Sequence, residues 1–384
     1  MIFVTPCSPD DFPINDNLFQ SAFWGMFKTM QGQKALYFFV EYAPTQESAI
    51  QFPLVLLLRS AKNKRIYAYA PKAPAILVPE DEQGIFLEQL AMAVKNYLPS
   101  DCICIRFDLA WERSEYNSTI RPELRELRMN YGTDNGMLRK SPLNHLCPDT
   151  VIINLTYSPE QLLAKMRQTT RNSIRRAYKS NVTFMHYTAE EALLKNDEPT
   201  AISPLEEYHR VYKETALRKQ FYFEEYDYFR ELFMLSTKAQ QHYCSSSTAS
   251  GTPPLVAIVP QPTFYLFTAS KDGTLLSGLI LGICGHTAYY LYAGSTLEGR
   301  ELMPNYGLQW EAQLFARRCG CTKYDLMGIP PNNNKAHPMA GLFVFKTGFG
   351  GDTKHFSGAW DYILDEQTYV SFTTEEQFSF HTTV

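Results

Sequence analysis

Two segments of the chain combine a short alternating pattern with a helical pattern that follows it. Tyrosines alternate with alanine or leucine at 67–70 and 290–293, which predicts two strands. Helices are predicted over residues 80–97 and 306–318. In the second helix, apolar residues recur at helical spacing at Leu308, Ala312, Phe315 and Cys319. Each segment is therefore a strand followed by an amphipathic helix.

A second, similar strand follows each helix. Residues 102–108 match residues 319–325 in cysteine, basic, aromatic and acidic positions, and the two strands end at Asp108 and Asp325. The strand, helix, strand order thus occurs twice, which predicts two homologous α/β domains. We place the first domain at residues 1–148, completed by the C-terminal segment 353–384, and the second at 149–352.

This order is compatible with the acetyltransferase-like (GNAT) fold, in which a mixed sheet opens between two parallel strands and an acyl donor enters the gap. Coenzyme A users place a glycine-rich loop before the helix, where backbone amides hold the pyrophosphate. The corresponding loops here, residues 70–74 and 294–300, contain no such cradle. A different acyl carrier is therefore expected.

Residues 162–179 predict a single amphipathic helix with one cationic face. Its apolar side is formed at three- and four-residue steps by Leu163, Met166, Thr170, Ile174 and Ala177. The charged stripe recurs at every fourth position and consists of Arg167, Arg171, Arg175 and Lys179. Because like charges at this spacing repel, the stripe predicts a track for the phosphates of RNA or of a nucleotide-sugar. The alternative is a solvated face neutralised by acids such as Glu190, Glu191 or Glu206.

Residues 340–351 join an aromatic-rich stretch, which predicts a strand, to a glycine-rich turn. The turn lacks the third glycine of a dinucleotide fingerprint, and no lysine follows it. Lys346 is the one lysine in this stretch. It is either a solvent-facing strand residue or, held among aromatic rings, a cation that stabilises a developing oxyanion.

Composition narrows the class of protein. The chain has 384 residues and a net charge of −4, so two cores are expected and any nucleic-acid contact needs a local basic patch. Apolar runs stay below the roughly 18 residues of a spanning helix, and residues 1–17 lack the features of a secretory signal. We expect a cytoplasmic protein whose eight cysteines are reduced thiols rather than zinc ligands.

Five segments in order carry a family resemblance: the basic helix at 170–177, the strand at 288–295, the helix at 305–312, the string at 324–329 and the segment 341–351. Together they resemble the FemABX family of peptidoglycan bridge-forming aminoacyltransferases across nearly the whole chain. Residues 18–21, followed by Trp24 and Lys28, also look like the opening of the family.

The resemblance implies an α/β fold of two tandem acetyltransferase-like domains. The donor would be aminoacyl-tRNA, and the acceptor a UDP-linked or lipid-linked muramyl pentapeptide. The side-chain amine of the third stem residue would attack the aminoacyl ester and form an interpeptide bridge. No cofactor is expected. We also expect peripheral contact with the inner face of the membrane and a monomeric protein.

The resemblance also implies site residues. Phe345 and Lys346 match the pair at the aminoacyl end of the tRNA, where the lysine would stabilise the tetrahedral intermediate. Asp108 matches a carboxylate near the acceptor amine, and it either takes a proton there or is a structural acid at a strand end. The positions that match precursor contacts are Lys28, Tyr290, Tyr292 and, with a looser alignment, Tyr228. The two strand tyrosines either line one cleft or pack.

The chain departs from the family pattern in three places. Some relatives place an arginine for the precursor's phosphates where this chain has residues 221–225, so Arg218 is the candidate replacement. Residues 178–240 contain no heptad repeat, which excludes the long coiled-coil arm of some members. The polar run within 240–262 predicts a flexible surface insertion. Two alternatives remain open: a coenzyme-A-dependent N-acyltransferase on the same fold and a non-catalytic RNA-binding protein.

Overall fold

The structure is a computed structural model that describes residues 1–45, 48–61, 65–113, 122–195, 202–247 and 261–381. The chain divides into two compact units. Unit 1 contains Met1–Pro148 and His355–Val384, and unit 2 contains Asp149–Lys354. The predicted second boundary, between 352 and 353, lies two residues earlier.

Unit 1 is built on a sheet with a parallel pair of strands near its middle. Its strands are β1 (Ile2–Pro6), β2 (Lys34–Thr45), β3 (Ser48–Ser60), β4 (Ile66–Ala70), β5 (Cys102–Glu112), β6 (Leu138–Lys140) and β13 (Asp352–Ile363). Their order is β1-β2-β3-β4-β5-β13, and β6 pairs with β13. Strands β4 and β5 run parallel, whereas the other pairs are antiparallel.

Among the described residues of unit 1, four helices accompany this sheet: α1 (Ala22–Met30), α2 (Gln83–Lys95), α3 (Pro122–Met129) and α11 (Glu366–His381). Helix α1 begins where the Ser21 side chain accepts a hydrogen bond from the Trp24 amide at 3.1 Å. Helix α2 makes the crossover from β4 to β5. Its apolar residues pack in the core of unit 1 at Phe86, Leu87, Leu90, Ala91 and Val94.

Unit 2 repeats this plan. Its strands are β7 (Asp149–Asn154), β8 (Thr183–Tyr187), β9 (Thr263–Lys271), β10 (Thr274–Cys284), β11 (Thr287–Ser295) and β12 (Lys323–Asp325). Their order is β7-β12-β11-β10-β9-β8, and β11 and β12 form the parallel pair. The other neighbours are antiparallel.

The helices of unit 2 are α4 (Pro159–Lys165), α5 (Gln168–Lys179), α6 (Ala189–Leu193), α7 (Pro204–Lys219), α8 (Tyr226–Ser247), α9 (Pro304–Arg318) and α10 (Ala340–Thr347). Helices α4, α6 and α7 each begin with a capping box, in which the first side chain and a Gln or Glu three residues later bond to each other's backbone amides. Helices α7 and α8 contact strands of the sheet rather than extending away as an arm.

The predicted α/β class is confirmed, and so is the repeated strand, helix, strand order, as β4-α2-β5 and β11-α9-β12. The predicted alignment of the repeats is wrong in detail. Cys319 is the C-cap of α9 and not a strand residue, because the left-handed Gly320 ends the helix there with φ of 85°. Asp325 pairs with Tyr289, so Tyr290 and Tyr292 lie beyond the part of β11 that pairs with β12.

Two predicted elements differ from the structure. Residues 162–179 form two helices, because Met166 and Arg167 have extended backbone angles between α4 and α5. Residues 340–347 form helix α10 rather than a strand. The stretch from 342 to 345 is uniformly apolar, so its pattern does not distinguish a helix from a strand.

The first part of the predicted insertion at 240–262 is helical, since α8 reaches Ser247. The remainder, residues 248–260, lies outside the described residues. Within the described part of the chain, no helix combines the length and apolar character that crossing a bilayer requires.

Candidate functional site

In unit 2 the two parallel strands separate after a short paired stretch. The pairing of β11 with β12 runs from Thr287 opposite Lys323 to Tyr289 opposite Asp325, and β11 then continues to Ser295. Beyond Asp325 the chain turns at Met327, which has a left-handed φ of 57°. A gap therefore opens beside the second half of β11.

The Lys346 side chain reaches this gap from α10. Its Nζ donates to the carbonyl oxygens of Gly328 at 2.8 Å and Met327 at 3.2 Å, and it lies 5.3 Å from the ring centroid of Tyr290. The residue is only 5% exposed. The alternative of a solvent-facing strand lysine is therefore wrong, because the helix directs this position inward. Its ammonium is held in place by two carbonyl groups and the face of an aromatic ring.

Phe345 belongs to a cluster of three aromatic rings beside Lys346. Its ring lies 4.9 Å from that of Tyr306 and 5.2 Å from that of Phe349, in edge-to-face geometry. Phe345 is half-buried, so part of its ring remains accessible. Tyr306, in the first turn of α9, completes the cluster and was not singled out by the sequence analysis. Tyr306 stands at the start of the helix that follows β11, and this place in the sequence is the signal that would have identified it.

The glycine-rich turn packs closely against the junction of α4 and α5. A Cβ atom on Gly350 would lie 2.4 Å from the carbonyl oxygen of Lys165, and Gly350 has a φ of 78°. The Gly348 carbonyl accepts a hydrogen bond from the Arg167 amide at 2.9 Å. The turn thereby joins the helix of Lys346 to the start of the basic helix.

The predicted basic stripe is not uniform. Arg171 is half-buried, and its guanidinium donates to the carbonyl oxygens of Met166 at 2.6 Å and Leu163 at 3.3 Å, so it caps the end of α4. Arg167, Arg175 and Lys179 are exposed. Three of the four cations are therefore exposed, whereas the fourth, Arg171, is bound to backbone carbonyl groups.

Two of the acids proposed to neutralise the stripe have other partners. Glu191 accepts from the backbone amide of Thr188 at 2.8 Å. Glu206 accepts from the backbone amide of Ser203 at 2.9 Å and forms an ion pair with Lys195 at 2.9 Å. Because these two carboxylates already have partners, they do not support the alternative in which acids neutralise the basic stripe.

The two strand tyrosines have different partners. Tyr290 lies beneath the Lys346 ammonium, whereas the Tyr292 hydroxyl forms a 2.8 Å hydrogen bond with the hydroxyl of Tyr228. A bulge at Leu291 interrupts the alternation of β11 between them. Burial raises the pKa of both Tyr290 and Tyr292, so both hydroxyls stay protonated at neutral pH. Tyr228 is itself buried.

Arg218 fastens the last turn of α7 to the end of β11. Its guanidinium donates to the Ser295 carbonyl at 2.7 Å and pairs with Glu214 at 2.9 Å. The structure therefore gives Arg218 intramolecular partners at the position where the resemblance implies a phosphate contact.

Asp108 lies in unit 1, at the point where β4 stops pairing with β5. Its Oδ2 accepts from the Tyr69 hydroxyl at 2.9 Å and from the Leu146 amide at 3.1 Å. Burial raises the pKa of the Asp108 carboxyl group, and the positive charges of Lys72 and Lys140 partly oppose that effect. Burial also lowers the pKa of Lys140 to about 8. The sequence analysis did not identify these two lysines as neighbours of Asp108, because they lie on other strands or loops.

Lys28 also belongs to unit 1. It is half-exposed on α1, and its Nζ lies 5.0 Å from the ring centroid of Trp24 and 5.1 Å from that of Phe27. The site residues thus divide into two groups. Lys28 and Asp108 are in unit 1, whereas the tyrosines, Arg218, the basic helix, Phe345 and Lys346 are in unit 2.

Comparison with known proteins adds three findings. A model of the FemAB family matches residues 10–238 and 265–376. The chain is 35% identical over 104 residues to the lipid II:glycine glycyltransferase of Staphylococcus haemolyticus (strain JCSC1435), which covers 27% of this chain and 25% of that relative. It is 36% identical over 98 residues to the protein of the same name from Staphylococcus aureus, which covers 26% of this chain and 23% of that relative.

The chain thus spans about a quarter of the length of the curated relatives it matches. Among solved structures, the crystal structure of FemX superposes with a TM-score of 0.69 at 17% sequence identity. That superposition covers 96% of this chain and 99% of FemX, so the two share a fold.

Proposed function

Because the chain belongs to the FemAB family, we propose that it is an aminoacyltransferase that forms an interpeptide bridge of peptidoglycan. The donor is aminoacyl-tRNA, and the acceptor is the side-chain amine of the third stem residue of a muramyl pentapeptide. The observation that carries this proposal is the Lys346 ammonium, held by two carbonyls in the gap beside β11.

The chemistry requires orientation and charge stabilisation more than further catalytic groups. An aminoacyl ester is already activated, and an unprotonated amine is a good nucleophile. The amine nitrogen forms a bond to the ester carbon, and the Lys346 ammonium stabilises the oxyanion of the tetrahedral intermediate. The ester C–O bond then breaks, and the ribose oxygen of the tRNA leaves as a hydroxyl by taking up the proton that the amine loses. Phe345 packs against the aminoacyl end of the donor.

The acceptor amine must lose a proton during the attack, and we assign Asp108 as its acceptor. The raised pKa of this carboxyl group makes it a better base than an exposed aspartate. Lys28, Tyr228, Tyr290 and Tyr292 are the proposed contacts of the precursor. Arg218 acts in this scheme by fixing the end of β11, and it contacts the precursor only if the Glu214 pair opens.

The relatives named lipid II:glycine glycyltransferase favour a lipid-linked acceptor and glycine as the transferred residue. We therefore place the reaction at the cytoplasmic face of the membrane. The exposed cations of α5, Arg167, Arg175 and Lys179, are the proposed contacts of the tRNA phosphates.

One assay tests the reaction. The protein is incubated with a mixture of charged tRNAs and with either UDP-linked or lipid-linked muramyl pentapeptide, and product masses are measured. We expect a mass gain of one or more amino-acid residues on the lipid-linked acceptor. A parallel reaction with acetyl coenzyme A in place of tRNA tests the N-acyltransferase alternative. Binding of tRNA without any product in either reaction would instead favour the RNA-binding protein.

A further inference from the structure

Lys72 in unit 1 has an unusual backbone position. It lies two residues after the end of β4 and has a left-handed φ of 48°, which residues other than glycine rarely adopt. The conformation is held by its surroundings. The Lys72 carbonyl accepts from the Asn17 side chain at 2.9 Å, and the next amide, of Ala73, donates to the Asp108 carbonyl at 3.2 Å. The backbone therefore fixes where the lysine side chain begins, next to the backbone of Asp108.

The side chain itself lies inside the unit. Lys72 is 9% exposed, and its Nζ lies 4.6 Å from the ring centroid of Phe356. Within the described residues, this ammonium has no hydrogen-bond acceptor. The two other inward lysines differ in this respect, since Lys140 donates to the Ala359 carbonyl at 2.5 Å and Lys346 donates to two carbonyls. The stem of Lys72 is buried, but its ammonium group still reaches solvent, so the three donors of that group are open to a ligand.

Asp108 is near Lys72 but does not satisfy it. The Asp108 Oδ2 is occupied by the Tyr69 hydroxyl and the Leu146 amide. The Lys72 charge acts on Asp108 through space, without a hydrogen bond between the two side chains. Lys140 adds a second positive charge that also acts on the carboxylate. The cluster of Lys72, Asp108 and Lys140 therefore has a net positive charge. Within the described residues, the Lys72 ammonium in this cluster makes no hydrogen bond.

We infer that Lys72 binds an anionic oxygen group of the acceptor substrate, a carboxylate or a phosphate, beside Asp108. This inference rests on the proposed function. A muramyl pentapeptide precursor carries both groups, on its peptide and on its pyrophosphate. An anion contact gives a role to Lys72 and its left-handed backbone. Neither the Phe356 ring nor the Asp108 carboxylate accepts a hydrogen bond from its ammonium. The inference also places an anion contact in unit 1, whereas the sequence analysis sought one near Arg218 in unit 2.

Calorimetric titration of acceptor fragments tests the inference with the full chain. Lys72→Met removes the charge and keeps the length of the stem, and Lys72→Arg retains the charge. Lys95→Met, on the exposed end of α2, is the control with the same change in net charge. The probes are UDP-linked muramyl pentapeptide, the same peptide without the nucleotide and phosphates, and that phosphate-free peptide with its carboxylates converted to amides.

We expect Lys72→Met to weaken binding of the UDP-linked acceptor by about 10- to 100-fold, as for loss of a charge-assisted hydrogen bond. Lys72→Arg should restore most of this affinity, and Lys95→Met should match wild type. If the anion is a phosphate, the loss disappears with the phosphate-free peptide. If it is a carboxylate, the loss persists there and disappears with the amidated peptide.

Two results would overturn the inference. Equal affinity of wild type and Lys72→Met for the UDP-linked acceptor excludes an anion contact. An equal loss with all three probes shows that the residue supports structure rather than an anion. Failure of the proposed function gives a different result, because wild type would then bind none of the three probes.

Discussion

Lys346 combines deep burial with a fixed ammonium position, and this combination makes a direct prediction. Lys346→Met should lower kcat for transfer by about 100- to 1,000-fold, the range found when a preorganised oxyanion donor is removed. The Michaelis constant for aminoacyl-tRNA should change much less, because the contact is made in the transition state. Single-turnover kinetics with charged tRNA and a saturating acceptor measure both quantities.

Lys335→Met, an exposed lysine of the loop before α10, is the matched control and should retain wild-type kcat. The variant at 346 also leaves the carbonyls of Met327 and Gly328 without this donor, so its unfolding transition must be measured alongside. Wild-type turnover in a folded Lys346→Met protein would remove the residue from the mechanism.

Asp108 makes a prediction about stability and pH. Burial raises the pKa of its carboxyl group, so the folded state favours the protonated form. The stabilisation from that form is present at low pH and is lost as pH rises through the folded-state pKa. Asp108→Asn keeps an oxygen for the Tyr69 hydroxyl and the Leu146 amide but cannot ionise. The free energy of unfolding of wild type should therefore fall relative to the variant as pH rises.

Urea unfolding of both proteins at steps between about pH 4 and pH 8 measures this difference. A difference that stays constant across the range would show that Asp108 has the same pKa in the folded and unfolded states. Activity at pH 8 distinguishes a catalytic from a structural acid, because the asparagine variant cannot accept the proton of the attacking amine.

At this scale the sequence indicated candidate site residues but not their environments. Lys346 stood out as the one lysine within an aromatic segment, and Asp108 as an acid at a strand end. Lys72 carried no signal, because its burial depends on Phe356, which is 284 positions away in the chain. Contacts of that separation leave no periodicity that a single sequence reveals.

Among the elements, the basic helix shows most clearly how packing changes a sequence pattern. Four cations at every fourth position predict one continuous stripe. The helix is instead interrupted at Met166, and the Arg171 side chain caps the end of α4. Arg171→Ala should therefore reduce stability by about 1–3 kcal/mol, since it leaves partly buried carbonyls without a donor. Arg175→Ala should leave stability unchanged, because Arg175 is exposed.

The same two variants should behave oppositely in tRNA binding. Loss of one phosphate contact at Arg175 should reduce the slope of log K against log salt concentration by about 0.7–0.9. Arg171→Ala should leave that slope unchanged. Titrations of tRNA at several salt concentrations measure both slopes, and identical slopes for wild type and Arg175→Ala would show that α5 does not contact phosphate.

The crossover elements were predictable from periodicity, whereas strand pairing was not. Helices α2 and α9 bury one face on the sheet, and this produces the helical spacing seen in the sequence. The offset between β11 and β12 arises from the turn at Met327, which ends β12 after three residues. That offset opens the gap beside Tyr290, so the most consequential feature of unit 2 depends on one turn.

For the whole molecule, the return of the C-terminal segment to unit 1 is the defining feature of the chain path. Strand β13 pairs with β5, and α11 packs over the buried Arg106. The Arg106 guanidinium binds Asp361 through bonds of 2.7 and 2.8 Å and Glu376 through two bonds of 2.8 Å. The Tyr369 hydroxyl adds a bond to Asp361 at 2.9 Å. One fully buried cation thus links the first and last parts of unit 1.

This link predicts that the end of the chain stabilises its beginning. Glu376→Ala removes one of two bidentate partners of a buried guanidinium, so the free energy of unfolding should fall by about 2–4 kcal/mol. Glu376→Gln keeps one acceptor and should lose less. Gln377→Ala, exposed on the same helix, is the control and should stay within about 0.5 kcal/mol of wild type. Urea unfolding measures these changes, and hydrogen exchange of β5 and β13 should locate the loss there. Equal free energies of unfolding for Glu376→Ala and Gln377→Ala would show that Asp361 alone neutralises Arg106 and that the Glu376 contact of α11 adds no stability.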